Sequence, residues 1–454
     1  MSYETELWQK SGKGERQQVS RRQFLHTAGL ATAAGASIMA ANSAKGQTKK
    51  VSANDTIVLG VIGCGGRGNQ VMRNFLKQPG LEIGALCDVD TRALANTKPI
   101  AGEKAKEYKD LRRLLEQKDI DAVLVTTPDQ WHVLATVMAC EAGKDVYVEK
   151  PLGVTIAEGR AAVNAARKYN RIVQIGTQQH NWSHFRSAVE YIHSGALGDI
   201  SMVHTWDVEN QNPGFGSPPD CDPPAELDWG FWLGPSPKVP YNPNRHQYHY
   251  WFYDYGGAWQ VDWAVHHYEI VHWAMGVTAP LSAVGLGGKF AFSNDNRQWP
   301  DTFTGACEYP SSPMAKNGFL MTYTFRSGNN LPIEGCYHGK AFYGSKGVLV
   351  LNRNGFDVIF SRIQDKKETT ERRTVQGLPE TETHAKVFLE CVRTRTKPEA
   401  DIEVGHWATN PGHLMNISYR VGRKVKWDAQ KEQIVGDEEA NRLLTREFRK
   451  PWQL

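Results

Sequence analysis

The chain has 454 residues, 40% of them hydrophobic and 22% charged, with a net charge of +4. That length supports two domains with substantial cores, and Lys and Arg are scattered rather than striped, so nucleic-acid binding has no electrostatic footprint. The seven cysteines, Cys64, Cys87, Cys140, Cys221, Cys307, Cys336 and Cys391, are widely spaced with no C-x-x-C, which excludes a fully paired disulfide scaffold and fits buried free thiols.

Residues 1–19 are polar and without periodicity. Ser20-Arg21-Arg22-Gln23-Phe24-Leu25 then precedes a weakly apolar, alanine-rich stretch from Thr27 to Ala41. A twin arginine before such a stretch predicts an export signal of the twin-arginine type over 1–47, cleaved between Ala41 and Gln47, and a periplasmic or otherwise exported location. The stretch is too short and too weak to span a membrane, and nothing later reaches transmembrane length.

Ile57 to Ile62 is a short apolar run and reads as a strand buried on both faces. It enters Gly63-Cys64-Gly65-Gly66-Arg67-Gly68, which fits G-x-G-x-x-G, and then a helical segment over 69–78. In that pattern Gly63 permits the tight turn, Gly65 lets backbone approach a pyrophosphate, and Gly68 lets helix pack on strand. A second strand, Leu81 to Cys87, ends in Asp88, 20 residues past the last glycine, the spacing of a carboxylate that holds an adenosine ribose. Helical patterns over 110–117, 133–142 and 156–168 alternate with strands over 122–126, 145–148 and 172–175. The alternation predicts a doubly wound parallel sheet, a Rossmann domain over 53–177. Two strand ends stand out: Thr126-Thr127-Pro128-Asp129-Gln130-Trp131-His132, and Glu149-Lys150-Pro151. On chemistry alone Lys150 is either a solvated loop charge or a cation aimed at substrate.

The segments VIGCGGRG, CDVD, TTPDQWH and VEKP, in this order and spacing, resemble the Gfo/Idh/MocA family, named for glucose-fructose oxidoreductase, inositol dehydrogenase and rhizopine catabolism. The similarity runs over essentially the whole mature chain, down to Arg449-Lys450-Pro451-Trp452. The resemblance implies that Lys150 lies beside a nicotinamide and touches the reacting hydroxyl, and that Glu149 faces the cofactor. It groups Thr127, Pro128 and His132 with Gly63, Gly65, Gly66, Arg67, Gly68 and Asp88 in the cofactor site. It also implies a homo-oligomer, a dimer or tetramer built through the C-terminal sheet.

From residue 178 to 454 the pattern becomes that of an α+β domain. A helix over 185–193, a strand over 200–208 and a Pro/Gly-rich loop over 212–240 come first. Strands over 281–290, 302–309, 319–326, 333–343 and 348–351 predict a large open, mostly antiparallel sheet. Helices are predicted over 384–395, 414–424 and 437–448. Aromatic residues crowd the stretch from Asp228 to Trp263. They serve either core packing or a carbohydrate cleft, since sugar C–H faces stack on rings; Trp251, Tyr255 and His267 join Lys150 and His266 as substrate candidates. Asp262 and His266, four apart, fall on one face of a helical pattern, where a carboxylate can orient an imidazole. They match the family's GGG-x-x-x-D-x-G-x-H-x-x-D pattern, with Ala258 and Ala264 for Gly and Glu269 for Asp, and the resemblance makes Lys150, Asp262 and His266 catalytic. His246, His249, His267 and His272 have no metal-ligand spacing such as H-E-x-x-H, so no metal is expected.

The reading that results is an NAD(H)-dependent oxidoreductase moving hydride to or from a secondary alcohol of a sugar, polyol or glycoside. Asp88 favours NAD, and Asp90 would repel a 2′-phosphate, while Arg67 and Arg92 keep NADP open. A redox-neutral cleavage through a keto sugar and a non-catalytic sugar-binding protein are the alternatives. Export removes the protein from any NAD pool, which predicts tightly bound cofactor, closed in by the loops over 212–259 or by a partner subunit.

Overall fold

The computed structural model describes residues 56–364 and 367–454, with side chains outside 361–370. The expected export signal therefore lies outside the described residues.

Six short strands form the first sheet: β1 (Ile57–Ile62), β2 (Leu81–Cys87), β3 (Lys106–Tyr108), β4 (Ala122–Val125), β5 (Asp145–Val148) and β6 (Val173–Ile175). All pair in parallel, in the order β3-β2-β1-β4-β5-β6. The strand order reverses between β1 and β4, so a crevice opens beyond their C-terminal ends. β4 and β5 are buried throughout; β4 is wholly apolar, and in β5 the buried Asp145 is paired with Arg395. Two helices start earlier than their periodicity suggests. The first runs Gly66–Leu76 and takes the glycine loop as its first turn. The other runs Asp129–Glu141, because Pro128, with φ −61°, delivers the chain directly into it. Helix Thr91–Ala101 and β3 carry no usable signal, the one interrupted by Pro99 and the other only three polar residues long.

The second sheet has ten strands in the order β14-β13-β12-β11-β7-β10-β9-β8-β15-β16. They are β7 (Ile200–Val208), β8 (Ser282–Gly288), β9 (Thr302–Tyr309), β10 (Phe319–Arg326), β11 (His338–Gly344), β12 (Gly347–Asn352), β13 (Gly355–Gln364), β14 (Lys367–Gln376), β15 (Val425–Asp428) and β16 (Gln433–Ile434). Only the β7–β10 pair is parallel; its neighbours are antiparallel. On β10, Phe319, Met321, Tyr323 and Phe325 enter the core while Leu320 faces out, which fixes the register. The fold class is therefore α/β, a Rossmann sheet followed by an α+β domain.

Helix Ile402–Val421 packs between the domains and begins well before the expected position 414, carrying Pro411 inside it. Its glycines allow close approach: a Cβ on Gly405 would lie 2.4 Å from Ile175, and one on Gly412 would lie 2.3 Å from the Gln260 carbonyl oxygen. The helix expected over 437–448 shrinks to Glu438–Asn441 and one 3-10 turn, Arg442–Leu444. The residues beyond run as a strap along the Rossmann domain. Arg446 donates to Glu158 at 2.6 Å and to the Asp254 carbonyl oxygen at 2.8 Å, and Trp452 packs edge-on against Trp131.

Candidate active site

At the end of β1 the chain turns at Gly63, whose φ is +93°. A Cβ there would sit 2.7 Å from the Thr126 and Thr127 backbone, and one on Gly68 only 2.0 Å from the Gly63 carbonyl oxygen. Gly65 and Gly66 meet nothing within 4 Å. The outer glycines thus close the turn and the middle ones leave it bare. The helix that follows has no side-chain cap and no acid in its first turn. Its free N–H groups and positive end open on the crevice, as a pyrophosphate requires. The Thr127 hydroxyl, buried and without a partner among the described residues, adds a polar atom at the same strand ends.

Asp88 accepts from the Cys64 N–H at 2.7 Å and the Asp90 N–H at 2.9 Å. Burial raises its carboxyl above the usual range against those bonds. Both nearby arginines are engaged by carboxylates: Arg67 by Glu149 at 2.7 Å, Arg92 by Asp90 at 2.6 Å. Burial pushes the Glu149 carboxyl up, but Arg67 overcomes this and holds it below its usual range. Glu149 thus meets the crevice through Arg67. His132 joins the two loops, with one ring nitrogen 2.8 Å from the Thr127 carbonyl oxygen and the other 2.8 Å from that of Pro151. The strand-end position of Lys150 is fixed by that staple.

Lys150 Nζ donates to the Asp262 carbonyl oxygen at 2.9 Å and to its Oδ1 at 3.0 Å. Asp262 is the last residue of the short helix Trp259–Asp262, while His266 lies in the next helix, Val265–Met275. The break between them removes the shared face expected of residues four apart. Asp262 consequently holds Lys150, and His266 Nδ1 is buried with no partner among the described residues. Burial, reinforced by the charges of Arg353, Lys150 and Arg67, keeps the His266 imidazole neutral far below its usual pKa. A neutral imidazole and an anchored ammonium are the pair an alcohol needs to lose a proton and carry developing negative charge.

Three substrate candidates sit elsewhere. Trp251 and Tyr255 are 0% exposed and belong to the core, Trp251 beneath Arg297. His267 turns away to Asp207 at 3.1 Å, a carboxylate that also accepts from the Tyr323 hydroxyl at 3.0 Å. Neutral, apolar surroundings suit a ring or an imidazole as well as an open cleft does, so composition could not separate these cases. The ring beside His266 is Trp263, 5.8 Å away and half-buried, with the Arg353 guanidinium 4.5 Å over its face. In the sequence, His249 is weighed only as a metal ligand, Asp129 is named only within its strand end and Trp263 only within the aromatic stretch, and Arg353 is not singled out; Asp129 and His249 approach to 3.4 Å across widely separated positions.

The insert over 212–259 docks on the far end of the crevice. Leu227 bridges to Asp90, the Thr91 N–H donates to the Glu226 carbonyl oxygen at 3.1 Å, and the Asp228 N–H to that of Val89 at 3.0 Å. These contacts begin one residue past Asp88.

A bare helix end at the switch point, with a lysine at the end of β5 in the same sheet and a neutral histidine from the second domain, places the protein among dinucleotide-binding α/β oxidoreductases. Residues 57–177 match the NAD-binding Rossmann domain of the Gfo/Idh/MocA oxidoreductase family, and residues 355–454 match its C-terminal alpha/beta domain. The chain belongs to that family. It is 34% identical over 174 residues to a glycosyl hydrolase family 109 protein of Shewanella pealeana, covering 33% of this chain and 37% of that one. It is likewise 34% identical over 152 residues to the inositol 2-dehydrogenase of Salmonella typhimurium, covering 33% and 45%. The chain thus spans less than half the length of these curated relatives. Among solved structures, levoglucosan dehydrogenase in complex with NADH and levoglucosan superimposes with a TM-score of 0.63 at 17% identity, over 82% of this chain and 99% of that one, a likeness of fold.

Proposed function

We propose that the protein is an NAD-dependent oxidoreductase that moves hydride to or from a secondary alcohol of a sugar, polyol or glycoside. The observation that carries this is the Lys150–Asp262 pair at the end of β5, beside an imidazole kept neutral. NAD, when bound, supplies the hydride acceptor. The N–H groups of the Gly66 turn hold the pyrophosphate, and Asp88 holds the ribose with its remaining lone pairs. Arg67 and Arg92 are each engaged by a carboxylate, which favours NAD over NADP. Lys150 spends two donors on Asp262 and points its third at the substrate oxygen. His266 takes the hydroxyl proton, and Asp262 positions the lysine rather than the histidine.

A second reading, redox-neutral cleavage through a keto sugar on retained cofactor, is favoured by the insert that packs over residues 89–91. It accords with the likeness to a family 109 glycosyl hydrolase and with an exported location, where a protein must keep its dinucleotide. Both readings are tested by incubating the purified protein with a panel of sugars and glycosides while following NADH absorbance and released sugar. Net NADH supports a dehydrogenase; sugar release without net NADH supports the cycle; neither outcome leaves only a binding protein. Near-stoichiometric NAD(H), freed by acid from protein purified without added nucleotide, is expected; an empty protein that binds NAD weakly refutes retention.

A further inference from the structure

Arg353 lies in the tight turn that joins β12 to β13, between the paired residues Asn352 and Gly355. The turn is braced on both sides. A His184 ring nitrogen lies 3.1 Å from the Asn352 carbonyl oxygen, and the Gly377 N–H donates to that of Asn354 at 2.7 Å. From this turn the guanidinium reaches two indoles, 4.5 Å from the ring centre of Trp263 and 5.9 Å from that of Trp182. Trp263 in turn meets two imidazoles edge-on, His266 and His338, each at 5.8 Å. Arg353 therefore stands one indole away from the group that takes the hydroxyl proton. Arg353, Trp263 and His338 are all half-buried, so each keeps some surface open to a ligand.

The groups that meet the charge of Arg353 here are mostly bases. Burial holds His266, His267 and His338 far below the usual imidazole range, and Arg353 adds to the shift in each. Burial, with Arg353 and against Glu269, brings Lys340 down to about 7. Burial also pushes the Asp207 carboxyl well above its usual range, against the Tyr323 hydroxyl, Lys340 and Arg353, so it adds little negative charge. Lys150 and Arg67 are already matched by Asp262 and Glu149. A positive field in a partly desolvated corner favours a ligand of the opposite sign.

We propose that Trp263, Arg353 and His338 form a subsite for an oxyanion on the substrate, a carboxylate or a phosphate, so that the protein prefers an acidic sugar to a neutral one. The inference rests on the oxidoreductase reading and names the substrate class of that site. The planar guanidinium, with five donors, takes either oxyanion through two parallel hydrogen bonds. Trp263 offers apolar surface to the sugar's C–H groups between the reacting carbon and the anion. The braced turn and the two indoles hold the cation in place beforehand, which lowers the entropy lost on binding.

The test uses the full protein and matched pairs: D-glucuronate and D-glucose 6-phosphate against D-glucose, and D-galacturonate against D-galactose. The first readout is calorimetric binding to protein loaded with NADH, which cannot oxidise an alcohol. At least one acid should bind about tenfold tighter than its neutral partner, the low end for hydrogen bonds to a charged group; uronate against phosphate tells which oxyanion the subsite takes. Arg353→Gln should abolish the preference and Arg353→Lys keep part of it, with Arg353→Met replacing the first should it fail to fold. Equal binding within every pair, no binding of any acid, or a preference that survives Arg353→Gln overturns the proposal. The second readout is NADH formation on protein loaded with NAD, where the same preference should appear in KM. An acid that binds through Arg353 and is never oxidised defeats the oxidoreductase reading and leaves the subsite standing, so the two failures are told apart.

Discussion

Lys150 makes both of its bonds to one residue, so its removal leaves a single half-buried carboxyl, Asp262, whose raised proton affinity lets it neutralise. Lys150→Met is therefore expected to fold and to keep NAD, which the glycine turn binds, while turnover disappears; loss of cofactor with activity retained would contradict its assignment. His266→Ala should lose at least about a hundredfold in kcat, the low end for a general base, with Asp262→Asn losing less because it only misplaces the lysine. A steady-state comparison of the three variants ranks these roles. At this scale the sequence was informative about identity and poor about pairing. Residues four apart suggested Asp262 with His266, but the helix breaks between them. Lys150 and Asp262, 112 positions apart, could be joined only by the fold. The approach of Asp129 to His249 was hidden for the same reason.

The glycine turn and the helix behind it give the clearest element-level test, because two of its glycines have different reasons to be there. Gly68→Ala would place a methyl 2.0 Å from a backbone oxygen and must push helix from strand; a lower melting temperature and lost NAD binding are expected together. Gly66→Ala meets no protein atom, so NAD affinity should fall with the melting temperature nearly unchanged. Equal effects in both variants would mean that the turn is not a phosphate cradle. Elements with a clear period were legible: β1, β2, β5 and β10 lie where their apolar patterns put them. Others were not. The helix expected only from 414 begins at Ile402 and carries Pro411, although proline removes a donor and crowds the preceding turn; close packing through Gly405 and Gly412 sustains it. The charged run of β14 offered no apolar alternation, and its pairing with β13 supplies the order instead.

Across the whole molecule, buried neutral histidines set the acid response. Burial brings His272 to about 3 and His384 and His413 to about 4, whereas the unfolded chain protonates near 6.5. Their contribution is complete above about pH 6.5 and declines as pH falls toward 4, because the unfolded state binds protons first. His180, raised overall by Glu269 against its burial, acts in the opposite sense. Denaturation midpoints should therefore drop between pH 7 and pH 5; a flat profile would refute this. The outer face of the ten-stranded sheet exposes Leu286 at 71% and Leu320 at 38%, and we propose that a second copy covers it. Light scattering should show a dimer or tetramer, and Leu286→Glu with Leu320→Glu should lower the mass; an unchanged mass would place the contact elsewhere.

The strap that ends the described chain also bears on synthesis. Arg446 reaches back to the Gln130 carbonyl oxygen across 316 positions. At about 5–20 residues per second, a ribosome makes the strap roughly 15 to 60 s after Gln130. The insert is made much sooner, and its Phe231 stacks on Trp131 while the Trp232 carbonyl oxygen takes the indole N–H. Until synthesis ends, those contacts and the ones to residues 89–91 hold the insert on the Rossmann domain without the Arg446 clamp.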